Sequence, residues 1–244
     1  MITRDAAPTL AESLDSLAAF AEIVVFDNGS GDDTVEIARR YRNVRVSHGE
    51  FKGFGPTKNE AVALAANDWV FVLDSDEIAS EALIDSLRSA DLGDPACVYF
   101  VERHNYFMGR RVRHSGWGRD WLPRLYHRAR HRHSDALVHE KVATGPGSRP
   151  RRLAGPLRHL AVRELGQFLS KVDRYSALRS REDRRVQGPP ATFLRAGWAF
   201  FRTYVLLLGF LDGWRGLVIA WSNANGVFFK YMRPYAERMK AGGR

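Results

Sequence analysis

The chain has 244 residues, of which 45% are hydrophobic and 27% charged, and this composition excludes a largely disordered protein. Its single cysteine, Cys97, excludes an intramolecular disulfide framework and a cysteine-based zinc site. The formal net charge is +9, but residues 1–99 carry a net charge of −10 and residues 100–244 a net charge of +19. An acidic first part and a basic second part of the chain predict a catalytic or metal-binding region followed by a region that binds an anionic partner.

The first hundred residues alternate between helix and strand patterns. Apolar runs predict strands at 22–26, 44–46, 69–73 and 97–101. Helices are predicted after Asp5, after Asp32, from the capping-box spacing Thr57-Lys-Asn-Glu60, and over 80–90. Strands that are apolar along their whole length predict an α/β fold, with a mostly parallel sheet flanked by helices.

The remaining residues change in character. Aromatic, arginine and histidine side chains crowd residues 102–163, within which the glycines and prolines of 145–156 predict an exposed loop. A charged helix is predicted over 164–185. Two interrupted apolar stretches follow, 198–211 and 216–232, and their flanking Trp, Tyr, Arg and Lys residues are typical of helices that lie in a membrane interface. We therefore expect a catalytic domain at 1–163 and a helical, membrane-associating region at 164–244.

The sequence was also searched for a signal peptide and for a membrane-spanning helix. Charged residues at Arg4 and Asp5 interrupt the N-terminus, so no cleavable signal peptide is expected. No uninterrupted apolar run of about 18 residues occurs, so a conventional spanning helix is not expected either.

Carboxylates follow two of the predicted strands, where ligands of open α/β sheets bind. Asp74 and Asp76 could hold Mg²⁺ or Mn²⁺ at a substrate diphosphate, or could form a solvated surface turn. Asp27 could accept hydrogen bonds from a uracil or a ribose, or could close an Asx turn. Lys58 and Asn59 could meet phosphate, or could be an ordinary helix start.

Motifs along nearly the whole chain together resemble those of family 2 glycosyltransferases. In the first half they are Ile2-Thr-Arg-Asp5, Asp27-Asn-Gly-Ser-Gly-Asp32-Asp-Thr34, Lys58-Asn59-x-Ala61 and Leu73-Asp-Ser-Asp-Glu77. In the second half they are Asn105-Tyr-Phe-Met-Gly109, His114-Ser-Gly-Trp117, Asp120, Pro123-Arg-Leu-Tyr126, Val138-His-Glu140, Leu208-Gly-Phe-Leu-Asp-Gly213 and Phe229-Lys-Tyr231. The set is similar to the bacterial lipopolysaccharide-core subgroup, which includes β-1,4-glucosyltransferases.

The resemblance implies a GT-A fold, a UDP-sugar donor such as a UDP-hexose, and a divalent metal. By this analogy Thr3 and Asp27 hold the uracil, Lys58 and Asn59 belong to the donor site, and Asp74 contacts the ribose or a metal-bound water. Asp76 is implied as the ligand of the metal, Mg²⁺ or Mn²⁺. His139 is a further metal ligand, a contact of the donor diphosphate, or a structural hydrogen-bonding residue.

The resemblance also implies inversion at the anomeric carbon, which requires a base for the acceptor hydroxyl. Asp120 is our candidate for that base; the alternative is an ion pair with Arg119 or Arg124. Trp117 and Trp121 could stack on an acceptor sugar or belong to a core. Arg124 lies in an arginine-rich region, 103–132, that could bind a phosphorylated acceptor.

The expected partners are therefore a UDP-sugar, a glycolipid or phosphorylated glycan acceptor, and an anionic membrane surface at the cytoplasmic face of the cell membrane; nucleic acid is not expected.

Two other classes of function are alternatives to a glycosyltransferase. A nucleotidyltransferase would usually carry a glycine-rich basic loop after its first strand, which residues 3–8 lack. A non-catalytic protein that binds membrane or nucleic acid would leave the acidic front half unexplained.

Overall fold

The computed structural model describes residues 1–118, 120–135, 141–182 and 186–242. The chain divides into a first unit, Met1–Arg103 with Asp120–His159, and a second unit, His104–Arg119 with Leu160–Arg244. Each unit is described by itself below.

The first unit starts with a three-stranded parallel sheet whose middle strand is buried throughout. The strands pair in the order β1 (Ile2–Thr3), β2 (Ile23–Asp27), β3 (Val44–His48). The connecting helices are α1 (Ala7–Asp15) and α2 (Thr34–Arg39). In this register Thr3 lies opposite Asp27, so two residues predicted to bind a nucleotide meet at the carboxyl edge of the sheet.

A six-stranded sheet follows, in which the strand order is β4-β8-β6-β9-β5 and β7 pairs with β6. Its strands are β4 (Trp69–Phe71), β5 (Glu77–Ala79), β6 (Cys97–Phe107), β7 (Arg110–Arg111), β8 (Trp121–His127) and β9 (Arg149–Val162). The pairs β4–β8, β5–β9, β6–β7 and β6–β8 are antiparallel. Antiparallel pairing brings the residues just after β4 beside β8 and β9, which come much later in the chain.

The core of the first unit forms where apolar helix faces cover the sheets. Leu10 and Leu14 of α1, Leu83 of helix α4 (Glu81–Arg88) and Leu157 of β9 are completely buried in one cluster. The α4 helix begins as the sequence predicts, because the Ser80 hydroxyl accepts a hydrogen bond from the Leu83 N–H and caps it.

The start of helix α3 (Phe54–Ala63) corrects a prediction from sequence. The helix begins at Phe54 rather than at the capping-box spacing of Thr57 to Glu60. Gly53 takes a positive φ of 107°, which glycine adopts readily, and the chain enters the helix there. Thr57 is buried inside the helix and its hydroxyl accepts a hydrogen bond from the Lys52 N–H at 3.1 Å.

The exposed loop predicted at 145–156 is also wrong in its second half, because β9 begins at Arg149. Leu153 packs into the core of the first unit. Gly155 has a φ of +84°, and a Cβ atom there would lie 2.3 Å from the backbone nitrogen of Leu83. The glycine that suggested a loop is therefore needed for the close approach of a strand to α4.

The second unit is mainly helical. It contains α5 (Leu165–Glu182), α6 (Pro189–Phe201), a π-helical turn (Arg202–Leu206), a 3₁₀ turn (Gly209–Asp212) and α7 (Trp214–Gly242). Helices α5 and α6 both pack against α7, and Phe107, Val112, Val162 and Ile219 form a buried cluster. Among the described helices, none combines the length and the apolar character that crossing a bilayer requires.

Candidate functional site

The first polar cluster lies at the carboxyl end of β2. One oxygen of Asp27, Oδ2, accepts hydrogen bonds from the N–H groups of Gly29 at 3.1 Å and Ser30 at 3.2 Å, and Oδ1 accepts one from the Ser30 hydroxyl at 2.5 Å. His48 Nδ1 lies 3.4 Å from Oδ2. Burial raises the pKa of Asp27, but these hydrogen bonds outweigh burial and lower its pKa below the ordinary value. The Asx turn expected from sequence is present, and it keeps the carboxylate ionised.

Thr3 lies beside Asp27 on β1. Its hydroxyl is buried and has no hydrogen-bond partner among the residues that the structure describes. A buried hydroxyl without a partner costs free energy, so a ligand that supplies a hydrogen bond here would be stabilised.

The second polar cluster lies just after β4. An Asp74 oxygen is 2.8 Å from the Lys58 ammonium, and the other is 3.2 Å from an Arg124 guanidinium nitrogen. Lys58 and Arg124 are each only 4% exposed. Burial would raise the pKa of Asp74, but the two cations hold the pKa well below its usual range. The structure thus brings together three residues that the sequence singled out separately.

Glu77 joins this cluster to Asp120. It is completely buried and accepts hydrogen bonds from Arg124 and, at 3.2 Å, from Arg103. Arg103 also donates to Oδ2 of Asp120 through Nε at 2.9 Å and Nη2 at 2.6 Å. We call the five side chains of Asp74, Arg124, Glu77, Arg103 and Asp120 the charge network, in which carboxylates and guanidinium groups alternate.

The ion-pair partner of Asp120 is therefore Arg103, and not Arg124 as one reading of the sequence suggested; Arg119 lies outside the described residues. Sequence reasoning missed Glu77 and Arg103 as members of the site. Two signals were present: a glutamate directly after Asp74-Ser-Asp76, and an arginine within the apolar pattern of β6.

Asp76 lies beside a histidine that the sequence did not single out. Nε2 of His159, on β9, is 3.3 Å from Oδ2 of Asp76. Among the residues that the structure describes, no group of three or more His, Cys, Asp or Glu side chains is arranged to hold a metal ion, and His139 lies outside them. Asp76 presents a partly exposed carboxylate, the ligand type that hard cations prefer, whereas the charge of Asp74 is already compensated by Lys58 and Arg124.

The remaining candidates have definite places. The Asn59 side chain exchanges two hydrogen bonds with the backbone of His133, at 2.9 and 3.0 Å. The guanidinium of Arg152 lies 4.6 Å from the ring centre of Trp121. Trp117 belongs to the second unit, where its ring contacts Phe107 and Phe168.

A cleft of about 500 Å³ opens along β3 and α3, and it shares His48 with the first polar cluster. It is lined by residues that include Phe26, His48, Lys52 and Glu60. None of the site residues predicted from sequence lines it, so the polar clusters at the strand ends remain the candidate site.

Comparison with known proteins identifies the family of the chain. The profile of the family described as "Glycosyl transferase family 2" matches residues 1–151. The chain is 25% identical over 243 residues to "Lipopolysaccharide core biosynthesis glycosyltransferase LpsC" of Rhizobium meliloti (strain 1021), covering 91% of this chain and 88% of that protein. It is 32% identical over 90 residues to "Glycosyltransferase GlyG" of Streptococcus pneumoniae serotype 4, covering 35% of this chain and 30% of that protein.

Among solved structures, the fold is similar to that of S. aureus TarS 1–349 in complex with UDP-GlcNAc. The TM-score is 0.50 at 17% sequence identity, and the match covers 98% of this chain and 90% of that chain. This likeness concerns the fold alone.

Proposed function

This chain belongs to glycosyl transferase family 2 and is a glycosyltransferase with a GT-A fold, and we propose that it moves a sugar from a UDP-sugar to a glycolipid acceptor with inversion. Family membership removes the nucleotidyltransferase and the non-catalytic binding protein as alternatives. The observation that carries the proposal is the charge network, which links the carboxylate assigned to the donor, Asp74, to the carboxylate assigned to the acceptor, Asp120.

The donor site is proposed at the carboxyl edge of β1 and β2 and at the end of β4. Among the described residues the Thr3 hydroxyl has no hydrogen-bond partner, and it is proposed to form a hydrogen bond with the uracil. Asp27 stabilises the turn beside it and is proposed to accept a hydrogen bond from the base. Asp74 accepts from the ribose or from a metal-bound water. Lys58 keeps Asp74 ionised at 2.8 Å, and Asn59 contributes by fixing the backbone at residue 133.

A divalent metal, Mg²⁺ or Mn²⁺, is proposed to be held by Asp76 and His139 together with the donor diphosphate. When bound, it would neutralise charge that develops on the leaving diphosphate. His159 orients the Asp76 carboxylate through the 3.3 Å contact.

Asp120 is proposed as the base. Both hydrogen bonds from Arg103 end on Oδ2, so Oδ1 is the oxygen assigned to the acceptor hydroxyl. As the bond between the acceptor oxygen and the anomeric carbon forms, the hydroxyl proton passes to Asp120. The bond to the diphosphate breaks on the opposite face and UDP leaves, which inverts the anomeric configuration. Arg103 supports this role by holding the carboxylate in one orientation.

An acceptor contact is proposed at Trp121 in the first unit; Trp117, whose ring contacts Phe107 and Phe168 in the second unit, stays a separate prediction. The Arg152 guanidinium stacks over the Trp121 ring, 4.6 Å from its centre, and this cation beside an aromatic side chain suits a sugar that carries phosphate. Arg124 is buried between Asp74 and Glu77. We therefore propose that its main role is to stabilise the donor-site carboxylate of Asp74, and that binding of the acceptor is secondary. A lipid-linked acceptor would place the enzyme at the cytoplasmic face of the membrane, as a peripheral protein, and the net charge of +19 on residues 100–244 supports this location.

Calorimetric titration of UDP into the purified protein tests the donor assignment, with and without Mn²⁺ and alongside GDP and dTDP. We expect metal-dependent binding of UDP alone. Asp76→Ala should abolish the metal dependence, whereas Asp85→Ala, which removes an exposed carboxylate from α4, should leave it intact. Binding of all three nucleotides to the same extent would contradict the uracil assignment to Thr3 and Asp27.

A further inference from the structure

The second unit exposes large apolar side chains along α6 and the start of α7. Phe193 and Leu194 are 72% and 75% exposed, and Trp198 and Trp221 are 58% and 61% exposed. Phe210 and Leu211, in the turn between the helices, are also exposed. We call these six residues the apolar face. Exposed apolar surface of this kind marks an interaction site in soluble proteins.

Ring contacts join the parts of the apolar face. Phe200 on α6 contacts Trp221 on α7, with ring centres 6.1 Å apart. The same Phe200 stacks on Tyr204 at 5.5 Å, and Tyr204 contacts Phe210 at 6.4 Å. These rings connect α6 to the turn and to α7, so Trp221 and Phe210 of the apolar face belong to one connected patch of side chains.

The turn that carries Phe210 and Leu211 is tightly packed. Leu208 has a φ of +54°, and a Cβ atom on Gly216 would lie 1.8 Å from the carbonyl oxygen of Gly209. The two glycines therefore let the backbone segments on either side of the turn touch. A turn held in this way presents its apolar side chains without further ordering.

The charges around the patch are almost all positive. Residues 189–231 contain four cations, Arg195, Arg202, Arg215 and Lys230, and a single acid, Asp212. The Asp212 carboxylate is buried and accepts hydrogen bonds from the N–H groups of Arg113 and His114. A second copy of the same face would bring like charges together, which is unfavourable, whereas anionic headgroups would complement them.

We propose that the apolar face docks on an anionic phospholipid bilayer, with α6 and the start of α7 lying in the plane of the interface. In this arrangement Leu194, Trp198 and Trp221 enter the headgroup region and the surrounding arginines meet lipid phosphates. The mode is peripheral, in keeping with the absence of a spanning helix among the described residues. The inference rests on the proposed function only for the acceptor being a lipid.

Vesicle co-sedimentation of the full chain tests the docking surface, using phosphatidylcholine vesicles with and without phosphatidylglycerol. We expect binding to the anionic vesicles that weakens when NaCl is raised from about 0.1 M to about 1 M, because the Debye length falls from about 10 Å to about 3 Å. Leu194→Ser with Trp198→Ser should weaken it at least about tenfold, since two large side chains no longer leave water.

The matched control is Phe51→Ser with Leu92→Ser, which removes two exposed apolar side chains from the first unit, where they are 48% and 43% exposed. It should bind vesicles as the unaltered chain does. Equal binding by both double variants would overturn the proposal. So would a dimer in analytical ultracentrifugation that the Leu194 and Trp198 substitutions dissociate, because a second copy would then be the occupant.

Tryptophan fluorescence provides a second measurement, which starts from the unaltered chain. Vesicles that contain brominated phosphatidylglycerol should quench the emission of the unaltered chain, and Trp198→Phe with Trp221→Phe should remove most of that quenching. Titration of UDP into the Leu194 and Trp198 double variant separates the two proposals. If the double variant binds UDP normally but no longer binds vesicles, the docking proposal is supported. If the unaltered chain does not bind UDP, that result counts against the donor site alone.

Discussion

In the first unit, five charged side chains within and beside the six-stranded sheet lie next to one another, and two of them, Glu77 and Arg124, are buried. In the second unit, large apolar side chains such as Leu194 and Trp198 face solvent. Burying charge and exposing apolar surface both cost free energy. The contrast indicates that the first unit maintains a prearranged polar site, whereas the second maintains a surface that is completed by a partner.

The largest effect should come from the proton acceptor at the end of the charge network. Asp120→Asn keeps the shape and the hydrogen bond to Arg103 but cannot take up a proton at neutral pH. We expect transfer from UDP-sugar to a lipid extract to fall about 10²–10⁴-fold. Calorimetry should show UDP binding unchanged.

Asp68→Asn is the control for Asp120, because Asp68 also pairs with an arginine, Arg128, but its side chain is 63% exposed. Its activity should equal that of the unaltered enzyme. Retained transfer in Asp120→Asn would remove this residue from the mechanism and would leave the charge network with a structural role only.

The buried centre of the network should matter most for stability. Glu77→Leu would leave the guanidinium groups of Arg103 and Arg124 without their shared carboxylate, and the Asp74 N–H would lose a hydrogen bond of 3.1 Å. Breaking one partner out of a buried ion pair destabilises by about 3–5 kcal/mol. Urea denaturation should show this decrease in the free energy of unfolding, and Glu81→Gln, on the exposed first turn of α4, should show almost none.

A smaller decrease is expected at the buried carboxylate of the second unit, where the donors are neutral. Asp212→Ala would leave the N–H groups of Arg113 and His114 without an acceptor. An unsatisfied buried donor costs about 1–3 kcal/mol. Asp212→Asn, which keeps one acceptor oxygen, should recover part of that loss in the same denaturation experiment. A cost as large as that of Glu77→Leu would contradict the contrast between the two units.

The sequence predicted those elements whose apolar pattern is local. Strands β2, β3 and β4 lie in short apolar runs, of which only β2 is buried throughout, and they were found within a few residues. The second half of the 145–156 segment was not recognised as strand, because Gly155 and Pro156 suggest a turn unless one knows that Leu83 approaches Gly155. That approach joins residues far apart in the chain, and no local pattern contains it.

The same distinction applies to the site. Asp74, Lys58 and Arg124 were named from their motifs, and the structure shows them in contact. Glu77 and Arg103 were not predicted as site residues. Their importance comes from strand pairing, which sets β6 beside β8 and places β5 in the same sheet. The catalytic roles themselves stay predictions.

The smallest effect is expected at Ser80, which caps α4 away from the charge network. Ser80→Ala removes the hydroxyl that accepts from the Leu83 N–H at 3.3 Å, and an N-cap of this type contributes about 1 kcal/mol. Urea denaturation should detect this loss, while UDP binding should not change. The variant gives the free energy of unfolding that an ordinary polar contact contributes in the first unit. If Glu77→Leu loses no more free energy of unfolding than Ser80→Ala, the charge network stabilises the fold no more than a single helix cap does.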